Sequence, residues 1–267
     1  PLHVLRKYGW AHSFFLAQRP AGARGESGGD IQERFRSTPA GVPFFVHLGE
    51  GLDTDAWSEL PRLEALGCLQ STTVLVHAIA IDRDGWRRVG RAGARVVWCP
   101  ASNLFLFGQT IDLARRGGAL STPRMAIGTD SRLTGSSDLL EELRVARDTC
   151  GVPASDLLAM VTTNAADLIR QPRAGRIAVG GPADLIVVPA RAEEAGESLL
   201  GAERRDLQLV VVGGRPLIAD DAFVAAFGSR RVAPRAAYVD SYRKLMDPAL
   251  AARIAACPIA EPGVIVQ

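Results

Sequence analysis

The stretch FFVHLGEG, residues 44–51, decides how this chain reads. Apolar residues Phe44, Phe45 and Val46 lead into His47, and Glu50 stands between Gly49 and Gly51. A short apolar run of this kind is the mark of a buried strand. A strand that only filled a core would need neither the imidazole nor the carboxylate. Residues i and i+3 do not share a strand face. They converge if the strand stops at His47 and the glycines let the chain curl over the sheet edge.

Similar runs recur along the chain. VLVHA (74–78), RVVWCP (95–100), RMAIGTD (124–130) and, less cleanly, YGWAHSFFL (8–16) are short and rich in β-branched or aromatic residues. Helix-like stretches lie between them at 54–66, 82–93, 109–118 and 137–151. In the first of these Pro61 is expected to break or kink the helix. The last carries an apolar stripe of Leu139, Leu140, Leu143, Val145 and Ala146 and stops at Gly151. Strand and helix in alternation predict βαβ units and a parallel sheet. His47, His77, Cys99 with Asn103, and Asp130 all fall at the C-terminal ends of the expected strands. In parallel α/β folds that is the edge where sites are built.

After residue 172 the pattern changes. GRIAVGGPADLIVVPA (175–190) and DLQLVVVGGRPLIAD (206–220) alternate Gly-rich turns with strand-like runs, which predicts a small antiparallel β unit. Residues 238–256 read as helical, with Pro248 as a break. The expected divisions are 1–171 for the α/β body, 172–235 for the β unit and 236–267 for a helical tail.

Bulk composition narrows the function classes. The 267 residues are 47% hydrophobic and 22% charged, which is ordinary globular composition. Thirty-one basic residues against 29 acidic ones give a net charge of +2, no electrostatic case for nucleic acid or a charged membrane. Cys68, Cys99, Cys150 and Cys257 are scattered without a C-x-x-C pair and read as free thiols in a reducing, cytoplasmic setting. No apolar run is long enough to span a membrane. There is no G-x-x-x-x-G-K-[ST], no G-x-G-x-x-G and no G-x-S-x-G, so nucleotide-binding and α/β-hydrolase readings find no support.

Taken singly, each candidate has an ordinary reading. His47 or His77 is a hydrogen-bonded core histidine, and Asp130 after Gly-Thr is a turn residue or helix cap. Together on one sheet edge, two imidazoles and a carboxylate are suitable ligands for Zn2+ or Fe2+ with a position left open for water. A carboxylate just past a buried strand is costly unless paired or working, which singles out Glu50.

The order HLGE, VLVHA, WCPASNLFLFG and AIGTDSRLTGSSDLL, followed by TTNAADLI and GRIAVGGPADLIVV, resembles the amidohydrolase superfamily, in its cytosine deaminase and chlorohydrolase-like branch. The resemblance runs from about residue 8 to 218. It implies part of a TIM-like (β/α)8 barrel, strands 4 to 8, with part of a C-terminal β-sandwich, around one divalent metal ion. His47 matches the fifth-strand metal ligand and Asp130 the eighth-strand aspartate, with His77, the sixth-strand histidine, close to the metal. Glu50, His77 and Asp130 are the implied catalytic groups. Glu50 would protonate a substrate nitrogen, Asp130 would take a proton from metal-activated water, and His77 would polarise the reacting centre. Ser102 and Asn103 would shape the wall. The implied reaction is hydrolysis of a non-peptide C–N bond through a metal-bound hydroxide, deaminating a cyclic amidine or aminated heterocycle. Partners would be a small-molecule substrate and, open at this stage, further copies of the chain.

One family element is absent. The first barrel strand of the family ends in H-x-H, and the four histidines here (His3, His12, His47, His77) contain no such pair. About five barrel strands are legible, which leaves two sheet edges open. The expectation is therefore a C-terminal portion of a longer amidohydrolase, with GWAHS as the fourth strand and His12 either facing the pocket or structural. Such a portion is expected to bind metal weakly and not to turn over substrate alone. The competing readings are a non-catalytic scaffold or binding module, and a binuclear dihydroorotase- or hydantoinase-like enzyme. The second needs a carboxylated lysine at the end of the fourth strand, whereas Lys7 precedes that strand.

Overall fold

The computed structural model describes residues 8–12, 28–113, 124–228 and 233–267. The chain divides into two compact units, Pro1–Pro172 and Arg173–Gln267.

The first unit is built on a parallel sheet ordered β1-β2-β3-β4-β5. Its strands are Gly9–His12, Phe44–Leu48, Thr73–His77, Arg95–Trp98 and Met125–Ile127. The register aligns His12 with His47, His47 with Val76, and Leu48 with His77. Side chains alternate across a strand, so Phe45, Val74, Val76 and Ala126 share one face. There they pack with Cys99 and with Ala165, Leu168 and Ile169. The other face carries Phe44, Val46, Leu48, Leu75, Val96, Trp98 and Met125, all fully buried. Each such side chain contributes about 1.5–3 kcal/mol on burial. Two-sided burial explains why these strands read as nearly continuous apolar runs.

The helices of this unit are α1 (Gly28–Ser37), α2 (Thr54–Ala65), α3 (Arg83–Ala92), α4 (Pro100–Phe107), α5 (Leu139–Cys150), α6 (Ala154–Val161) and α7 (Thr163–Leu168). Three begin on an aspartate that accepts a backbone N–H: Asp53 from Ala56, Asp82 from Gly85 and Asp138 from Glu141. Gly93 and Gly151, at φ +71° and +62°, end α3 and α5 in the left-handed conformation. Pro61 neither breaks nor ends α2. It lies on the exposed side of the helix, where the Trp57 carbonyl it deprives of a donor is open to water. Of the helix expected at 109–118, residues 109–112 are not helical and 114–118 lie outside the described residues.

The second unit is a six-stranded antiparallel sheet, ordered β11-β9-β10-β8-β7-β6. Its strands are β6 (Leu185–Val187), β7 (Leu209–Val212), β8 (Arg215–Ala219), β9 (Arg235–Val239), β10 (Tyr242–Met246) and β11 (Val264–Val266). Gly213 and Gly214 turn β7 into β8, both at positive φ. The helical tail expected over 236–267, with its helix at 238–256, is corrected here. Residues 235–246 form a hairpin, and the helix is confined to α8, Pro248–Ala255. The hairpin turns at Asp240 and Ser241, both with positive φ. Arg204 pairs with Asp240 and with Glu261, holding that turn. Buried Lys244 donates to the Leu207 carbonyl and to Asp220, which gives the ammonium the partners a core position demands. No helix among the described residues is long and apolar enough to cross a membrane. All four cysteines are free.

Candidate metal and catalytic site

The C-terminal ends of β2, β3, β4 and β5 bring the expected residues to one edge. Beyond β2 the chain does curl. Gly49 sits at φ +64°, and a Cβ there would lie 3.3 Å from the Ala80 nitrogen, so a side chain meets both a strained backbone and a close neighbour. Three hydrogen bonds fix the curl. The Gly49 N–H donates to Glu59 Oε2 (2.6 Å), Ala78 N–H to the Leu48 carbonyl (3.0 Å) and Ala80 N–H to the Gly49 carbonyl (3.0 Å). Glu50 is thereby held over the end of β3, with Oε1 3.6 Å from His77 Nε2.

His77 reaches this position through its backbone. In the sheet register Val76, not His77, lies beside His47. Regular alternation would therefore send the His77 ring to the opposite face. His77 instead has φ +70° and stands at the centre of a γ-turn closed by Ala78 N–H to the Val76 carbonyl (3.0 Å). That turn is rare and strained. It brings the His77 ring to within 5.6 Å of the His47 ring, centroid to centroid. Asp130 also takes a positive φ, +53°. Non-glycine residues in this region cost of order 1–3 kcal/mol and gather at functional sites.

Glu50, His77 and Asp130 each offer a ligand atom, and the three atoms lie within 4.8 Å of one another. Two carboxylates and an imidazole are a donor set that suits Zn2+ or Fe2+. His47 stands beside this trio but outside it, with Nδ1 3.5 Å from the Ala11 carbonyl oxygen. His12 ends β1 in register with His47; its side chain lies outside the described residues.

Ser102 and Asn103, expected to shape the wall, touch the key groups directly. Both are fully buried on α4. Ser102 Oγ donates to Asp130 Oδ2 (2.5 Å), and Thr134 Oγ1 lies 2.9 Å from Ser102 Oγ and 3.3 Å from the same carboxylate oxygen. Burial pushes the Asp130 carboxyl up. The Ser102 hydrogen bond, the neighbouring His77 imidazole and the donors Thr134 and Ser131 outweigh it and hold the group below the usual aspartate range. Asn103 Oδ1 is 2.9 Å from His77 Nδ1, Asn103 Nδ2 donates to Thr110 Oγ1 (3.1 Å), and Trp98 Nε1 donates to the same oxygen (2.7 Å). Cys99, at the end of β4, stays a neutral thiol: burial, then the carboxylates of Asp130, Glu142 and Glu50, push it far up.

Two buried carboxylates escaped the sequence reading. Glu59, on α2, takes the Gly49 N–H. Glu142, fully buried on α5, accepts the Ala101 N–H on Oε1 (2.8 Å) and the Ser136 N–H on Oε2 (3.2 Å). A signal for both was present. Glu59 falls in the spacing of Ala56, Leu60 and Leu63, and Glu142 in that of Leu139, Leu143 and Ala146. An acid inside a helix's apolar stripe needs a buried partner.

Comparison with known proteins shows the family and the fold. The sequence profile of the amidohydrolase family matches residues 46–217, and the chain belongs to that family. A 5-methylthioadenosine/S-adenosylhomocysteine deaminase from Pyrococcus abyssi is 28% identical over 198 residues, 66% of this chain and 46% of that protein. Its namesake from Haloquadratum walsbyi is 33% identical over 163 residues, 55% of this chain and 36% of that protein. This chain thus spans less than half the length of these relatives. Among solved structures, an adenosine deaminase from Xanthomonas campestris with bound zinc superposes with a TM-score of 0.66 at 22% identity, covering 83% of this chain and 55% of that one. An atrazine chlorohydrolase from Arthrobacter aurescens complexed with zinc gives 0.61 at 20% identity, covering 74% and 49%. These likenesses show the fold, part of a TIM-like barrel with part of a β-sandwich.

Proposed function

We propose that this amidohydrolase-family chain supplies the catalytic edge of a metal-dependent deaminase acting on an aminated heterocycle, most specifically a 6-aminopurine nucleoside. The observation that carries the reading is the convergence of Glu50, His77 and Asp130 within 4.8 Å, at the C-terminal ends of different strands. The nucleoside class is supported by the names of the two curated relatives.

A divalent ion held by Asp130, His77 and His47, with Glu50 alongside, would bring the pKa of water towards neutrality. The residues then divide the proton work. Asp130, kept ionised by Ser102 and Thr134, accepts the proton that water loses as its oxygen bonds to the amino-bearing carbon. Glu50 delivers a proton to the adjacent ring nitrogen, and His77, whose Nδ1 faces Asn103, would hold the ion through Nε2. Asp130 returns its proton to the amino group, which leaves as ammonia, while the new hydroxyl gives its proton back to Glu50 as the carbonyl forms. No proton is gained or lost over the cycle beyond those of water. The pocket loops set the substrate, and homo-oligomer formation is compatible with the reading.

The test is ammonia release from adenosine, 5′-methylthioadenosine and S-adenosylhomocysteine by zinc-loaded protein, alongside Glu50→Gln and Asp130→Asn. Zinc uptake, and any ammonia release, that falls in both variants supports the assignment. Undiminished release in either overturns it.

A non-catalytic scaffold is the second reading. It predicts neither zinc uptake nor ammonia release.

A further inference from the structure

Behind the catalytic edge a chain of polar groups leads to His77: Trp98, half-buried Thr110 and buried Asn103, none of which the proton work above uses. Trp98 and Asn103 are fully buried and His77 nearly so, so water cannot satisfy a misplaced proton there.

The direction of the chain follows from the orientation of the Asn103 amide, whose Nδ2 faces Thr110 and whose Oδ1 faces His77. An indole nitrogen only donates, so Trp98 Nε1 fixes Thr110 Oγ1 as an acceptor at 2.7 Å. Asn103 Nδ2 takes the second acceptor position of that oxygen at 3.1 Å. With its amide nitrogen committed there, Asn103 turns Oδ1 to His77 Nδ1 at 2.9 Å. An amide oxygen only accepts, so Nδ1 must carry the hydrogen. His77 Nε2, the nitrogen facing Glu50 and in reach of Asp130, then has its lone pair free.

We infer that Asn103, anchored by Thr110 and Trp98, is a positioning residue that holds neutral His77 in its Nδ1–H tautomer, so that Nε2 meets the site as an acceptor. This rests on the deaminase reading for its functional meaning. It adds the direction of the His77 contact: Nε2 receives a metal ion or a hydrogen from water, and donates only after it has been protonated. Without Asn103 the preference reverses. The nearest acceptors for an imidazole N–H would be the Glu50 and Asp130 carboxylates, and the proton would move to Nε2 to reach them. Groups that fix a ligating histidine through its other nitrogen are worth about 10–100-fold in metal affinity.

The experiment reads the tautomer directly, by long-range proton–nitrogen correlation on 15N-histidine-labelled, metal-free protein with the imidazole neutral. His77 is assigned by its loss in His77→Gln. Wild-type protein is expected to show a protonated Nδ1 and a bare Nε2. Asn103→Leu is expected to move the proton to Nε2 and to weaken zinc binding about 10-fold or more. Asn103→Asp, which keeps an acceptor facing Nδ1, is expected to retain the wild-type pattern. A protonated Nε2 in wild type, or an unchanged tautomer in folded Asn103→Leu, overturns the inference. The wild-type spectrum decides even if the leucine variant fails to fold. A bare Nε2 in protein that neither takes up zinc nor releases ammonia would sink the deaminase reading and leave the tautomer assignment standing.

Discussion

Replacing Glu142 with glutamine exchanges one oxygen for an amide group and leaves the volume of the side chain almost unchanged. The carboxylate sits at zero exposure and accepts one backbone N–H on each oxygen, from Ala101 and from Ser136. Glutamine can still accept one of them. Its –NH2 group then faces the other N–H, donor against donor. A hydrogen bond to a buried charged group contributes about 1.5–3 kcal/mol, so Glu142→Gln should destabilise the first unit by about 2–3 kcal/mol. Alanine, which strands both N–H groups and leaves a void, should cost about 3–5 kcal/mol. All four tryptophans (Trp10, Trp57, Trp86, Trp98) belong to the first unit, so their fluorescence in a urea titration reports that unit alone. With a slope of about 2 kcal/mol per molar, glutamine should lower the midpoint by about 1–1.5 M. Ser102 follows Ala101 directly, and Asp130 leads into the loop that ends at Ser136, so zinc affinity should fall with stability. A midpoint within about 0.3 M of wild type would refute the reasoning.

Other outcomes follow from the same geometry. Gly49→Ala places a Cβ 3.3 Å from the Ala80 nitrogen at φ +64°; a loss of about 1–2 kcal/mol in denaturant is expected, with weaker zinc uptake as Glu50 is displaced. Asp130 has a folded pKa below its unfolded value. It therefore contributes stability that is complete above the unfolded carboxylate range and is lost as pH falls through the folded pKa. Urea titrations on descending pH should show this component in wild type and not in Asp130→Asn. Ser102→Ala removes the strongest of the hydrogen bonds that lower that pKa, so the loss should begin at higher pH, as carbon-detected NMR of the carboxyl would register.

Much of the fold is legible because local chemistry and tertiary burial agree. FFVHL, TVLVH and RVVW are apolar enough to be strands buried on both faces, and Asp82 with Gly93, or Asp138 with Gly151, bracket helices as capping rules require. Helix α4 has only half of that bracket, Gly108 at φ +68° closing its C-terminus. Cys99 gives its start no side-chain hydrogen bond, and PASNLFLF has no amphipathic stripe. Its first turn is instead capped from outside by Glu142, forty-one positions along the chain from Ala101. The 235–246 hairpin misleads for a related reason. Its turn is Asp240-Ser241 in place of Asn-Gly, and Leu245, Met246 and Leu250 mimic helical spacing. At the site, strand-end positions point to His47, Glu50, His77 and Asp130. The strained turns at His77 and Asp130 leave no trace in residue type, since both residues are common at ordinary strand ends.

The reversed backbone at His77 bears on how this rim can be redesigned. Residues branched at Cβ fit poorly where φ is positive, so randomising position 77 offers a short working alphabet, with glycine and asparagine ahead of valine or isoleucine. Laboratory evolution towards new substrates should therefore gain ground through the loops around the trio sooner than through the trio itself. A transplant of this imidazole onto another strand end would have to carry Val76 and Ala78 with it, because the bend is a property of all three.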